Sequence, residues 1–93
     1  MREKAIEQAL FHSVMKRGGM CPKLVSPGMS GMPDRLVLLP GGRIAFVELK
    51  APGKTPGILQ KYRHEQLRCL GFQVYVVDSM EKIGVLIDEI CTS

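Results

Sequence analysis

Asp34, Glu48 and Lys50 are the residues of this chain whose types and order could do chemistry together. Two carboxylates brought side by side repel each other. Two remedies exist: a raised pKa on one acid, or a bound divalent cation that neutralises both. The hard ions Mg²⁺ and Mn²⁺ prefer carboxylate and water oxygens, and Mg²⁺ takes one or two protein carboxylates while leaving positions for a substrate phosphate. The same three residues could also close a strand end as a plain salt bridge from Lys50 to either acid, and residue type alone does not choose.

Whether the three groups meet depends on the elements that carry them. The runs 35–39 and 43–49 are strand-like, and Pro40-Gly41-Gly42 between them is a hairpin signal. A three-residue loop sets Asp34 opposite Glu48; a two-residue loop sets it opposite Leu49, with Glu48 and Lys50 still its neighbours. Period-two alternation puts Leu36, Leu38, Ile44 and Phe46 on the face of Asp34, Glu48 and Lys50. Val37, Leu39, Ala45, Val47 and Leu49 take the other face. With both faces apolar, the pair should sit in the middle of a sheet and hold the charged groups in a partly buried niche.

A further acid comes from the N-terminal segment. Residues 3–17 read as an amphipathic helix with an apolar stripe of Ile6, Leu10, Phe11, Val14 and Met15, ended by Gly18-Gly19. Glu7 falls near the centre of that stripe, so burying the stripe carries Glu7 inward, where it needs a partner. A metal at the hairpin end would supply one. Glu3, one turn earlier and nearer the terminus, should be more exposed.

The remaining elements follow from punctuation. A short strand is expected over 23–26, then a Gly/Pro-rich loop over 27–33. Thr55-Pro56 suits an N-cap followed by proline at the first helical position, opening a helix that runs to about Leu70. Gly71 ends it, 72–77 forms a β-rich strand, and a last helix runs from Met80 to about Cys91. The order α-β-β-β-α-β-α predicts an α/β fold with a small mixed sheet and helices against it, the last strand returning parallel to a hairpin strand through the helical crossover.

Length and composition set the frame. Ninety-three residues, 45% hydrophobic and 24% charged, suit one domain over 1–93 with a modest core. No apolar run approaches the roughly 20 residues of a membrane helix, and the N-terminus carries no secretory pattern, so the expected location is cytoplasmic with no membrane partner. Three scattered cysteines (Cys21, Cys69, Cys91) fit neither a disulfide framework nor a CxxC metal site and are read as reduced and structural. The net charge of +4 favours a polyanionic partner.

Pro33-Asp34 followed by Glu48-Leu49-Lys50 resembles the PD-(D/E)XK nuclease signature. More narrowly, the order of Glu7, SPGMSGMPDRLVLLPGG, VELKAPGK and Gln60 is similar to a stand-alone VRR-NUC domain, the virus-type replication-repair nuclease branch of that superfamily. The resemblance covers the whole chain. It implies a restriction-endonuclease-like α-β-β-β-α-β core, Mg²⁺ or Mn²⁺ as cofactor, and hydrolysis of DNA phosphodiesters. It also implies Glu7, Asp34 and Glu48 as metal-site acids, Lys50 as catalytic lysine, and Gln60 reaching back toward the site. A homodimer acting on branched DNA such as four-way (Holliday) junctions is part of the same implication.

Lys50, Lys54, Lys61, Arg63 and His64 cluster after the proposed site, where a phosphate backbone would approach, and Lys23 and Arg35 could add to them. The segment from Ser26 to Gly31 could approach DNA closely through its glycines. Few aromatics and no tryptophan make stacking on single strands a lesser grip. Two other classes stand beside the nuclease reading. One is a DNA-binding module that keeps the fold without catalysis, against which the intact acids and Lys50 speak. The other is a small structural protein whose hairpin end is closed by salt bridges.

Overall fold

The computed structural model describes residues 2–92. The elements are α1 (Glu3–Lys16), β1 (Arg35–Leu39), β2 (Arg43–Leu49), α2 (Ile58–Cys69), β3 (Gln73–Val77) and α3 (Met80–Thr92). The strands lie in the order β1-β2-β3, with β1 antiparallel and β3 parallel to β2. The mixed sheet expected from the helical crossover is therefore formed, and β2 is its central strand.

Hairpin register decides the site. Arg35 pairs with Val47 and Leu39 with Arg43, the register of the three-residue loop. Gly41 and Gly42 both adopt positive φ (90° and 74°), which side-chain-bearing residues rarely do, so the Pro-Gly-Gly sequence is what permits this turn.

Alternation then sorts the side chains. Val37, Leu39, Ala45, Val47 and Leu49 are buried with Ile6, Leu10 and Val14 of α1, Val77 of β3, and Ile83, Leu86, Ile87 and Ile90 of α3. Helices α1 and α3 thus cover one face. The other face carries α2, which buries only His64 and Leu67, and Leu36, Leu38, Ile44 and Phe46 stay half-buried there. That face is covered less fully than its apolar sequence suggested: a single twelve-residue helix spans it. Phe46 meets Phe72 edge to face at 5.5 Å.

Three expectations need correction. Residues 23–26 form no strand. The chain follows the β1 edge only through the bridges Met20 to Leu38 and Lys23 to Arg35, with Leu24 N donating to the Asp34 carbonyl at 2.8 Å. Pro22 has no N–H to donate, and Pro27 and Gly28 turn the chain away soon after. Helix α2 begins at Ile58 with Gly57 as N-cap, later than Thr55-Pro56 implied. Gln60 fixes this start, because its Oε1 accepts the Gly57 amide at 2.9 Å. On α1, Phe11 and Met15 are exposed, so the buried stripe narrows to Ile6, Leu10 and Val14.

All three cysteines are free. Cys21 is buried in the core and burial pushes its thiol pKa up, whereas Cys69 is exposed and has no structural role in the core. Among the described residues, no helix is long and apolar enough to cross a membrane.

Candidate active site

Glu48 is the centre of the site. It sits near the end of the central strand on the α2 side of the sheet, and at 1% exposure it is among the most buried side chains in the chain. A carboxylate so placed requires partners. Gln60 Nε2 donates to its Oε2 at 3.0 Å, and Lys50 Nζ lies 3.4 Å from the same oxygen. His64 Nε2 faces the other oxygen, Oε1, at 3.8 Å.

Each partner is positioned by an identifiable element. Lys50 follows β2, and its amide donates to the Val77 carbonyl at 2.9 Å, so the β2–β3 ladder holds its backbone in place. Gln60 and His64 are four residues apart on α2 and therefore share one helix face. Gln60 uses its amide oxygen for the helix start and its amide nitrogen for Glu48, tying the α2 N-terminus to the acid.

Asp34 arrives from the loop side. Its Oδ2 accepts the Leu49 amide at 2.9 Å, which anchors the carboxylate beside Glu48 across the hairpin end. The loop before it is held against α2. Gly31 has φ +87°, and a Cβ there would lie 2.9 Å from the Leu59 side chain. Arg63 Nε donates to the Ser30 carbonyl at 2.9 Å. Pro33, which leads into Asp34, is fully buried.

The electrostatics follow from this packing. Burial, followed by the charge of Asp34 and a hydrogen bond with it, raises the Glu48 pKa to about 7, while Lys50 opposes the rise. A nearby carboxylate pair with one lysine as compensation is the donor set that a hard divalent cation suits, since Mg²⁺ is commonly held by one or two carboxylates with water and phosphate completing its shell. Burial and the charges of Arg68 and Lys50 push the His64 pKa down, with Asp34 opposing them. The neutral imidazole is thereby favoured.

Glu7 is placed differently from expectation. Its Oε2 accepts from Arg35 Nη2 at 2.8 Å, and Arg35 Nη1 also donates to the Cys21 carbonyl at 2.6 Å. Arg35 is only 13% exposed and is committed to these contacts rather than offered to a phosphate backbone. Strand parity contained the signal: Arg35 lies on the face of Val37 and Leu39, against which α1 packs. Among the described residues, no cluster of three or more His, Cys, Asp or Glu side chains is gathered for a metal. Glu7 nevertheless lines a cleft of about 300 Å³ with Asp34, Glu3, Lys23, Leu24, Val25 and Leu49, so both acids open onto one space at the sheet end.

The other residues expected to meet DNA divide into two groups. Lys23, Lys54 and Lys61 are exposed. His64 is not available to a phosphate backbone, being 2% exposed and turned to Glu48. Arg63 is half-buried and spent on Ser30, on Gln66 at 2.8 Å and on the Tyr62 ring. Ser26 is half-buried, and its carbonyl accepts the Met29 amide in a turn. The basic residues of α2 divide in this way because the helix turns successive residues to different faces.

Comparison with known proteins bears on this geometry. No family model matches the chain. Over 86 residues, 92% of each protein, it is 50% identical to "Putative nuclease p44" of Acyrthosiphon pisum secondary endosymbiont phage 1. Among solved structures it is similar to a VRR_NUC domain, with a TM-score of 0.86 and 37% identity over 92% of this chain and 94% of the other. The chain belongs to the VRR-NUC family. Nuclease function is what the VRR-NUC fold and the phage relative support. In this VRR-NUC chain one sheet end gathers the Asp34 and Glu48 carboxyl groups with the Lys50 amine.

Proposed function

We propose that this VRR-NUC chain is a divalent-metal-dependent endonuclease of PD-(D/E)XK type that hydrolyses DNA phosphodiesters, with Asp34, Glu48 and Lys50 at the reacting centre. The observation that supports this most is the buried Glu48 carboxylate, gripped by Lys50 and Gln60 and set against Asp34. Asp34 and Glu48 would hold Mg²⁺ or Mn²⁺, and Glu7 would contribute from across the shared cleft. Bound there, the ion would polarise a phosphate oxygen and acidify a water.

The chain's own residues do the rest. Lys50, anchored through its backbone to β3, holds a positive charge at Glu48 that offsets charge building up on the phosphate. Gln60 fixes the carboxyl plane of Glu48, and the Leu49 amide fixes Asp34, so neither acid has to reorganise as substrate arrives. Lys23 at the cleft and the exposed Lys54 and Lys61 would take backbone phosphates. The reading extends to a homodimer on branched DNA, because two sites related by a twofold axis would cut two strands of a four-way junction in related positions.

The test is cleavage of labelled four-way junction, flap and duplex DNA with Mg²⁺, Mn²⁺ or EDTA. Cutting that requires the metal, and that favours the junction, is expected. Failure to cut any DNA with either ion would remove the enzymatic reading, and binding without cutting would leave a DNA-binding module.

A further inference from the structure

We propose that His64 is a positioning residue for Glu48, its imidazole Nε2–H donating to Glu48 Oε1 so that α2 grips both oxygens of the carboxylate. This rests on the reading of Glu48 as a metal-site acid. Gln60 and His64 stand one turn apart on the same helix face, and each addresses a different oxygen of Glu48: Gln60 takes Oε2 at 3.0 Å, and His64 faces Oε1 at 3.8 Å.

Three observations single out the pair. Both side chains are only 2% exposed, so water is not at hand to satisfy them. Glu48 Oε1 and His64 Nε2 are two of the three fully buried side-chain polar atoms that lack a hydrogen-bond partner among the described residues, and they face each other. The separation of 3.8 Å is too long for a hydrogen bond but only slightly beyond its range. Two unpaired polar atoms left so in a buried niche are costly, whereas one bond between them satisfies both.

The bond leaves Glu48 able to serve a cation. A carboxylate oxygen has two lone pairs, so Oε1 can accept the imidazole N–H and still offer a lone pair to a cation. Fixing both oxygens from one helix prevents the carboxyl from turning about its last torsion, which a metal-site acid requires. The residues on α2 nearest the acid are then Gln60 and His64, both supporting it rather than touching DNA. Nothing in the basic run 61–64 of the sequence separates His64 from its neighbours; only its burial does.

Two measurements on the full chain test the assignment. In a high-resolution crystal structure of the metal-free protein, His64 Nε2 and Glu48 Oε1 should lie about 2.7 to 3.2 Å apart; a ring turned away from Glu48, or a gap beyond about 3.5 Å, would overturn it. Mn²⁺ affinity, read by electron paramagnetic resonance at a pH where wild type binds, should fall roughly 10- to 100-fold in His64→Leu. It should return most of the way in His64→Gln, which keeps a donor. Equal affinities in folded Leu and Gln variants would also overturn it. If wild type itself binds no Mn²⁺, the metal-site reading fails by itself, and the crystallographic distance still decides whether His64 holds Glu48.

Discussion

Asp34 is tied to the residue after Glu48: its Oδ2 accepts the Leu49 amide at 2.9 Å. One carboxylate oxygen therefore anchors the loop to the central strand, which leaves the rest of the group to face Glu48 and the cleft. Structure and chemistry thus meet in a single side chain, and different substitutions separate them. Asp34→Asn keeps an oxygen for Leu49 and should abolish cleavage with a stability change below about 1 kcal/mol, whereas Asp34→Ala strands the amide and should cost about 1–2 kcal/mol as well. Denaturant unfolding of both variants, beside their cleavage rates, checks this. Full cutting by Asp34→Asn would remove Asp34 from the site.

Glu48 gives a prediction in pH. Its folded pKa is raised to about 7, so in the metal-free protein the buried carboxyl stays protonated up to that pH, while in the unfolded chain it ionises near its ordinary value of 4.5. Between those values the unfolded state binds fewer protons, so this group removes stability as pH rises through the window. Glu48→Gln never ionises. It should therefore be more stable than wild type at pH 8, by up to about 3 kcal/mol, and the difference should shrink below pH 5. Thermal melts of both proteins in EDTA across pH 4.5 to 8 provide the measurement.

The same proton competes with the cation. Mn²⁺ affinity should fall about tenfold for each pH unit below 7, because Glu48 must lose its proton to bind. A flat affinity from pH 5.5 to 8 would mean that Glu48 is not the ligand.

Lys50→Ala should separate binding from chemistry. Removing the ammonium 3.4 Å from Glu48 leaves both carboxylates in place, so at pH 8 Mn²⁺ should still bind while the cleavage rate drops by roughly 10² or more. A loss of metal binding equal to that of Glu48→Gln would instead make Lys50 a structural counter-charge.

Glu7 and Arg35 form a half-buried pair, and their roles can be told apart by two readouts. Glu7→Gln should weaken Mn²⁺ binding only modestly, whereas Arg35→Met should destabilise the fold by about 1–3 kcal/mol, since it leaves Glu7 and the Cys21 carbonyl without their donor. If Glu7→Gln lowers the melting temperature and leaves Mn²⁺ affinity untouched, Glu7 belongs to the fold alone.

The sequence by itself determined what depends on neighbours along the chain. Pro40-Gly41-Gly42 and the strands flanking it set the hairpin, strict alternation put Glu48 and Lys50 on one face with Asp34 across from them, and the helical crossover made the last strand parallel to a hairpin strand, which packing settled as β2. Gln60 was marked by the resemblance to VRR-NUC domains, and it lies near the start of α2. Tertiary structure decided what depends on which surfaces meet. It turned His64 inward to Glu48 and left Lys61 outside, paired Arg35 with Glu7, spent Arg63 on the loop that delivers Asp34, and reduced the strand expected over 23–26 to one edge bridge at Lys23. Periodicity says which residues share a face. Only packing, where a buried charge must find a partner to offset its lost water, says which group that face is turned toward.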